Sequence, residues 1–268
     1  MGRIKAIFER LRQEGETALV PFLTAGDPDL ATTEALIHSL VENGADLIEL
    51  GFPFSDPMAD GPTIQAASER ALAAGTTLSA ILDMIARVRL HTNVPIVLMG
   101  YFNPLFRYGP ERFAADAAAA GVDGLLLVDL PPEEAGEIHS SLQAEGVDLI
   151  TLLAPTTPPE RAARLAAVSE GYLYFVSMTG VTGAQRVDAG AIGEEVGRLR
   201  AQSPVPVAVG FGISTPADAA AVASFADAVV VGSALVKIIE AHGTSAQLLP
   251  EVGRFVRSLK EAIVGKGD

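Results

Sequence analysis

Residues 47–65 read Leu-Ile-Glu-Leu-Gly-Phe-Pro-Phe-Ser-Asp-Pro-Met-Ala-Asp-Gly-Pro-Thr-Ile-Gln. The first five residues are typical of a short buried strand, which the following Phe-Pro pair ends. Because alternate side chains of a strand face opposite sides, Glu49 lies opposite Ile48 and Leu50. If helices cover the Ile48 and Leu50 side, Glu49 points into the interior, where an unpaired carboxylate is costly. The stretch therefore predicts a strand with a functional carboxylate near its C-terminal end.

A second carboxylate, Asp60, stands at the end of the loop that follows this strand. The loop is long enough to fold back over the strand end, so that the two acids can flank one cavity. An Asp before Gly-Pro is also typical of a turn former or a helix N-cap. The spacing alone favours that structural role for Asp60, whereas an inward Glu between two apolar neighbours gains nothing structurally.

Eight segments with strand character alternate with helical segments along the chain. The predicted strands are Leu19–Leu23, Leu47–Leu50, Ile96–Met99, Leu125–Val128, Leu149–Leu153, Tyr172–Val176, Val207–Val209 and Ala228–Val231. The predicted helices lie around Thr32–Glu42, Ile64–Ala73, Leu78–Arg89, Arg112–Ala120, Glu133–Glu145, Glu160–Ser169, Ala191–Gln202, Pro216–Ala223 and Ala246–Val264. This alternation indicates a parallel sheet, and eight units predict an α/β fold, the (β/α)8 TIM barrel.

An extra N-terminal helix is predicted before the first strand, because Ile4, Ile7, Phe8 and Leu11 recur at helical spacing. A doubly wound open sheet is the alternative fold, but no Gly-x-Gly-x-x-Gly follows the first strand. No linker or low-complexity tract divides the chain, so we expect a single domain over residues 1–268.

The composition excludes several classes of partner. The chain has 33 acidic and 19 basic residues and a net charge of −14, which argues against binding to nucleic acid or to an anionic membrane. It has no cysteine, and its four histidines are scattered, so we expect no metal site. No apolar run is long enough to span a bilayer, and the N-terminal residues lack a signal-peptide pattern. We therefore expect a cytoplasmic protein.

Two glycine-containing segments predict a phosphate site. Gly210-Phe211-Gly212 follows the seventh predicted strand, and Gly232-Ser233 follows the eighth and opens a short helix. Glycines let a backbone approach an anion, and free N–H groups at a helix start hold it. Barrel enzymes commonly bind phosphate at these two loops. The net negative charge of the chain does not attract phosphate from a distance. Backbone amides can nevertheless bind phosphate locally, without a nearby lysine or arginine.

The absence of other groups narrows the chemistry. None of the four lysines, Lys5, Lys237, Lys260 and Lys266, stands at a predicted strand end, which argues against a Schiff-base aldolase. Without a histidine cluster, a metal-dependent aldolase is not expected either. A phosphate site and two carboxylates leave acid–base chemistry on a small sugar or polyol phosphate.

Several motifs closely resemble those of the tryptophan synthase alpha subunits. They are Phe22-Leu-Thr-Ala-Gly-Asp-Pro28, Ile48–Gln65, Met99-Gly-Tyr-Phe-Asn-Pro104, Ser177–Gly183, Gly210-Phe-Gly-Ile-Ser214 and Gly232-Ser-Ala-Leu-Val-Lys237. The resemblance runs nearly end to end. It implies a TIM barrel with an extra N-terminal helix and a lyase that needs no cofactor. The implied reaction is the retro-aldol cleavage of indole-3-glycerol phosphate to indole and glyceraldehyde 3-phosphate, in L-tryptophan biosynthesis.

The resemblance also implies roles for ten residues. Glu49 would transfer the protons, Asp60 would stabilise positive charge on the indole ring, and Thr182 would help to hold Asp60. The residues implied to line the indole pocket are Phe22 and Tyr174, and those implied to bind phosphate are Gly183, Phe211, Gly212, Gly232 and Ser233. The loop Met178–Gly190 is predicted to be a lid. Met178 departs from the family, in which many members have Arg; this difference leaves the closed-state contacts of the lid open and does not concern the chemistry.

The implied partner is a tryptophan synthase beta subunit, in an alpha2beta2 assembly. The segments predicted to meet it are Phe54–Pro57, Asn103–Phe106 and Leu130–Pro132, which all follow strand C-terminal ends. Three alternatives stay open at this point: a lyase without a partner, a barrel that has lost catalysis and only regulates a partner, and an unrelated phosphate-binding isomerase.

Overall fold

Parallel strands form a nearly closed barrel in the computed structural model, which describes residues 2–176, 189–210 and 212–264. The strands are β1 (Ala18–Thr24), β2 (Ile48–Gly51), β3 (Ile96–Gly100), β4 (Gly124–Leu127), β5 (Asp148–Leu149), β6 (Thr151–Leu153), β7 (Leu173–Val176), β8 (Val207–Gly210) and β9 (Ala228–Val231). Their order is β5-β4-β3-β2-β1-β9-β8-β7-β6, and every pair is parallel. The predicted TIM barrel is confirmed.

The fifth predicted strand, Leu149–Leu153, is divided, and the prediction of one continuous strand there was wrong. Its first part, β5, pairs with β4, and its second part, β6, pairs with β7. The division falls at Ile150, whose N–H still donates to the Leu125 carbonyl at 2.8 Å. The chain changes its pairing partner there, because its two halves meet neighbours on opposite sides. β4 and β6 do not pair, so the barrel is only nearly closed at this point.

All helices but the first surround the barrel on its outer face, and the first closes its N-terminal end. The helices are α1 (Arg3–Glu14), α2 (Leu30–Glu42), α3 (Pro62–Ala73), α4 (Leu78–Val88), α5 (Phe102–Tyr108), α6 (Pro110–Ala120), α7 (Gly136–Glu145), α8 (Pro159–Ala167), α9 (Ala189–Gln202), α10 (Pro216–Ala223), α11 (Ser233–His242) and α12 (Leu248–Val264), with a 3-10 turn at Pro132–Glu134. Helices α3, α6, α8 and α10 each begin at a proline, whose fixed φ suits the first turn. The sequence pattern missed α5, because seven residues are too few to show a helical period. The helix predicted from Glu133 begins instead at Gly136, after the 3-10 turn.

The apolar side chains form two layers, one on each side of the strands. Ile48 and Leu50 belong to the layer between strands and helices. Leu47 belongs to the layer inside the barrel, where Ile4 and Phe8 of α1 close its N-terminal end. Burying each such side chain contributes about 1.5–3 kcal/mol. The predicted N-terminal helix and the inward direction of the Leu47 side of β2 are therefore confirmed.

Carboxylates repeat at the N-terminal end of the barrel. Each precedes one strand and accepts a hydrogen bond from an N–H near the start of an earlier strand. The pairs are Asp46 with Leu19 at 2.9 Å, Asp123 with Ile96 at 2.8 Å, Glu170 with Leu149 at 3.2 Å, and Asp227 with Val207 at 2.9 Å. Asp46 and Asp123 also bind Arg10 and Arg3 of α1, at 3.4 Å and 3.0 Å. These contacts hold the closing helix against the strands.

In the part of the chain that the structure describes, no single helix is long and apolar enough to cross a membrane. The helices α3 and α4 reach that length and composition together, but they are bent by 94° at the break between them. Ile81 and Ile85 of α4 are fully buried in the apolar layer against the strands.

Candidate active site

Glu49 lies inside the barrel on β2. Its neighbours in register are Phe22 on β1 and Val97 on β3, and none of its surface is exposed. The Tyr172 hydroxyl donates a 2.6 Å hydrogen bond to Oε1, whereas Oε2 has no partner among the described residues. Burial raises the pKa of Glu49 to about 8, and the Tyr172 hydrogen bond offsets part of that rise. Near neutral pH this group can therefore both donate and accept a proton.

Asp60 ends the loop between β2 and α3 and is half-buried beside Tyr101. The Tyr101 hydroxyl accepts a hydrogen bond from the Ala59 N–H at 2.9 Å and is hydrogen-bonded to the Asp60 side chain. The Gln65 side chain donates to the Asp60 carbonyl at 2.8 Å and holds the backbone. Burial raises the pKa of Asp60 to about 6, against the lowering effect of the Tyr101 hydrogen bond. Asp60 is consequently ionised for the most part at pH 7, unlike Glu49.

A narrow pocket opens at the C-terminal ends of the strands, above Glu49. Its lining is mostly apolar and consists of Phe22, Thr24, Gly51, Phe52, Asp60, Ile64, Ser68, Met99, Gly100, Tyr101 and Val128. Glu49 lies beneath the lining, next to Phe22 in register and two residues before Gly51. The Oγ1 atom of Thr24 is buried without a hydrogen-bond partner among the described residues, as is Oε2 of Glu49. Unpaired polar atoms in an apolar pocket are expected where a ligand supplies the partners.

Aromatic rings occupy the space that strand-end glycines leave open. A Cβ atom at Gly51 would lie 2.7 Å from the Phe22 ring, and one at Gly210 would lie 2.0 Å from the Tyr174 hydroxyl. Tyr174 is buried, and its pKa is raised by burial and by the charge of Glu49. Gly210 is predicted from the sequence to let an anion approach, but in the structure this glycine makes room for the Tyr174 side chain.

The candidate phosphate residues lie on two neighbouring loops. Helix α11 begins at Ser233, and no side-chain hydrogen bond from the described residues caps its start. Gly212 is exposed and has a φ of +63°, a conformation that side chains with a Cβ rarely adopt. A Cβ at Gly232 would lie 3.5 Å from Phe22, so the start of α11 adjoins the apolar pocket.

Other predicted residues lie outside the part of the chain that the structure describes. These are Thr182, Gly183 and Phe211, together with Met178 and most of the predicted lid.

Two tyrosines that hold the acids have no role predicted from the sequence. Tyr172 precedes Tyr174 by two residues, so strand alternation places both side chains on the inner face. Tyr101 directly follows β3, at the barrel end where functional side chains gather. The alternation and the strand-end position can both be read from the sequence, but neither predicts which acid each tyrosine hydroxyl contacts.

Comparison with known proteins shows the family of this chain. The family model described as tryptophan synthase alpha chain matches residues 8–264. The alpha chain of Geobacter sulfurreducens is 59% identical over 263 residues, which cover 98% of this chain and 99% of that relative. The chain belongs to the tryptophan synthase alpha chain family. It is a lyase that cleaves indole-3-glycerol phosphate in tryptophan biosynthesis.

Solved structures agree with this membership. The alpha subunit of Legionella pneumophila superposes with a TM-score of 0.91 at 43% identity, and 99% of each chain is covered. A tryptophan synthase structure from M. tuberculosis, in an aminoacrylate-bound form, superposes with a TM-score of 0.87 at 36% identity, over 98% of this chain and 100% of that one. The relationship implied by the sequence motifs is thus confirmed.

Tyr172→Phe tests the electrostatic setting of Glu49. The change removes the hydrogen bond that lowers the pKa of Glu49, so that pKa should rise further above about 8. The limb of the kcat–pH profile that reports Glu49 should move to higher pH in the same direction. A Tyr108→Phe variant is the matched control, because its hydroxyl contacts Asp116 at 2.7 Å on the outer helices. A profile that moves to lower pH, or equally in both variants, would contradict this account.

Proposed function

We propose that Glu49 transfers both protons in the cleavage of indole-3-glycerol phosphate. Cleavage needs a proton at the ring carbon that carries the glycerol chain and the removal of one from the adjacent hydroxyl. The electrons of the broken carbon–carbon bond return to the ring, and the hydroxyl carbon becomes the aldehyde. The observation that carries this role is the complete burial of Glu49, with one oxygen held by Tyr172 and the other unpaired among the described residues.

Asp60 is the second carboxylate in this proposal, with a different task. Protonation of the ring carbon leaves positive charge on the ring nitrogen, and an ionised Asp60 stabilises that charge most in the transition state. A pKa of about 6 leaves most of its carboxyl ionised at pH 7. Two acids in different environments, one mainly protonated and one mainly ionised, are a recurring solution in acid–base catalysis. Thr182 would help to hold Asp60.

The substrate is proposed to lie with its ring between the aromatic side chains and its phosphate on the two glycine loops. Phe22 and Tyr174 would contact the indole ring. The phosphate would be bound by the backbone at Gly183, Phe211, Gly212, Gly232 and Ser233. The support for this placement is that α11 starts without a side-chain cap among the described residues, and that a Cβ atom at Gly232 would lie 3.5 Å from the Phe22 ring. Such amide contacts need no nearby lysine or arginine.

The proposed partner is a tryptophan synthase beta subunit, in a cytoplasmic alpha2beta2 assembly. The proposal is supported by large apolar side chains on the barrel rim, since Met58 is 83% and Phe106 is 61% exposed. Met58 and Asp56 belong to the same loop as Asp60. Partner binding to this loop could therefore move Asp60 and change the rate of cleavage without contact with Glu49.

We also propose that residues 1–268 form one domain, because β1 pairs with β9 from the other end of the chain.

The test is indole release from indole-3-glycerol phosphate, measured while the chain is titrated with the beta subunit. We expect release by the chain alone, stimulation by the partner, and weaker stimulation of Asp56→Ala. Asp83→Ala is the control, because Asp83 is exposed on α4, away from this loop. Equal stimulation of both variants would exclude this loop as the route of coupling. Release without any stimulation would favour a lyase that works without a partner, and no release at all would favour a regulatory barrel.

A further inference from the structure

Arg70 of α3 joins three elements around the pocket. Its Nε and Nη2 atoms donate to the two carboxylate oxygens of Asp27, each at 2.8 Å, in a bidentate ion pair. Asp27 is only 2% exposed. The remaining nitrogen, Nη1, contacts Glu240 of α11 at 2.9 Å, and that carboxylate is half exposed. The Asp27 pair is therefore the dominant contact, since an exposed ion pair is weak.

The helix that carries Arg70 also holds one wall of the site. Helix α3 begins directly after Gly61, its N-cap, and its Gln65 side chain donates to the Asp60 carbonyl at 2.8 Å. Ile64 and Ser68, on the same helix, line the pocket. Because a helix moves as a unit, the position of α3 sets the position of Asp60.

Asp27 belongs to a second wall of the pocket, which β1 forms with Phe22 and Thr24. It lies in the loop after β1, and its N–H donates to the carbonyl of Thr24 at 3.2 Å. Thr24 is a lining residue whose buried hydroxyl has no partner among the described residues. The Arg70–Asp27 pair thus connects the wall that holds Asp60 to the wall that holds Thr24, and neither of its two residues lines the pocket.

We propose that Arg70 is a positioning residue, which fixes the distance between Asp60 and the β1 wall of the pocket through its bidentate contact with Asp27. This inference rests on the proposed role of Asp60. A lysine keeps the charge but offers no planar pair of donors, so it cannot reproduce the contact. Asp60 would then be free to move relative to the substrate ring.

The first measurement is steady-state cleavage by Arg70→Lys. We expect kcat to fall by about 10- to 100-fold, the range expected for a displaced catalytic group. The dissociation constant for glycerol 3-phosphate should stay within about twofold of wild type, because the residues proposed to bind phosphate are on other loops.

Two control variants separate this loss of kcat from the effect of changing any arginine or any ion pair. Arg87→Lys alters an exposed arginine paired with Glu34 at 3.0 Å, and Glu240→Gln removes only the exposed contact of Arg70. Both should retain kcat.

The decisive measurement is a double-mutant cycle with Asp60→Asn. If Arg70 acts through Asp60, adding Arg70→Lys to Asp60→Asn should lower kcat by less than about threefold. An equal loss of kcat in both backgrounds would overturn the inference, as would a single Arg70→Lys variant with wild-type kcat. If Asp60→Asn itself retained wild-type kcat, the proposed role of Asp60 would fail, and the inference with it. Should Arg70→Lys not fold, Asp27→Asn/Arg70→Gln takes its place in the cycle, because it exchanges the ion pair for neutral amides.

Discussion

Replacing Glu49 by Gln should remove nearly all cleavage while leaving the fold intact. Loss of a single general acid–base group typically lowers kcat by ~10²–10⁴-fold, and Glu49 is proposed to serve both proton transfers. Gln has almost the same shape, and its amide oxygen can still accept the Tyr172 hydrogen bond. The measurement is indole release from indole-3-glycerol phosphate by the purified variant, with circular dichroism to confirm folding.

The same variant should also change how stability depends on pH. In the native state the pKa of Glu49 is about 8, compared with an ordinary value of 4.5. The native state therefore holds a proton that the unfolded state has lost, and the free energy of unfolding falls as pH rises from 4.5 to about 8. Glu49→Gln should flatten this fall, whereas Glu145→Gln, on an exposed position of α7, should not. A Glu49→Gln variant with a rate of indole release within tenfold of wild type would contradict the proposed catalytic role of Glu49.

Replacing Asp60 by Asn should lower kcat by ~10²–10³-fold, the loss typical of one electrostatic group that stabilises transition-state charge. The amide keeps the size of the side chain and a hydrogen bond to Tyr101, but it carries no charge for the ring nitrogen. Binding of glycerol 3-phosphate should change little, because Asp60 is proposed to contact the ring and not the phosphate. Single-turnover cleavage and calorimetric binding measure the two effects separately.

Gly212→Val is the matched control for this separation. Valine is strained at a φ of +63°, and its side chain would block the approach of an anion. We expect this variant to lose affinity for glycerol 3-phosphate, the reverse of the pattern for Asp60→Asn. If phosphate affinity fell in step with kcat in Asp60→Asn, the division of roles between the acid and the glycine loops would be wrong.

Strand alternation was the most informative signal in the sequence. It placed Ile48 and Leu50 against the helices and Glu49 inside the barrel, as the structure shows. The pattern failed at the fifth strand, since a change of pairing partner at Ile150 leaves no mark in a run of apolar residues. The helical pattern also missed α5. The first N–H of that helix, on Phe102, donates at 2.8 Å to Asp129, which lies in the next strand-end loop and not in the local sequence.

A further pattern in the sequence recurs at the start of strands. Three strands, β2, β4 and β9, are preceded by Ala-Asp or Val-Asp, at Asp46, Asp123 and Asp227. In the structure each of these carboxylates accepts a hydrogen bond from the previous strand. These carboxylates lie at the N-terminal end of the barrel, opposite the pocket. They therefore stabilise the strands and have no part in the proposed chemistry.

The sequence by itself determined the barrel, the closing N-terminal helix and the inward Glu49, because these depend on spacing and alternation within short segments. Only the tertiary structure decided which groups surround the acids. Tyr172 meets Glu49 from 123 residues away, and Arg70 meets Asp27 from 43 residues away. Such contacts depend on the register between distant strands and helices, which no local pattern records. The pKa values of Glu49 and Asp60 follow from those contacts and from burial, and so they too belong to the folded chain.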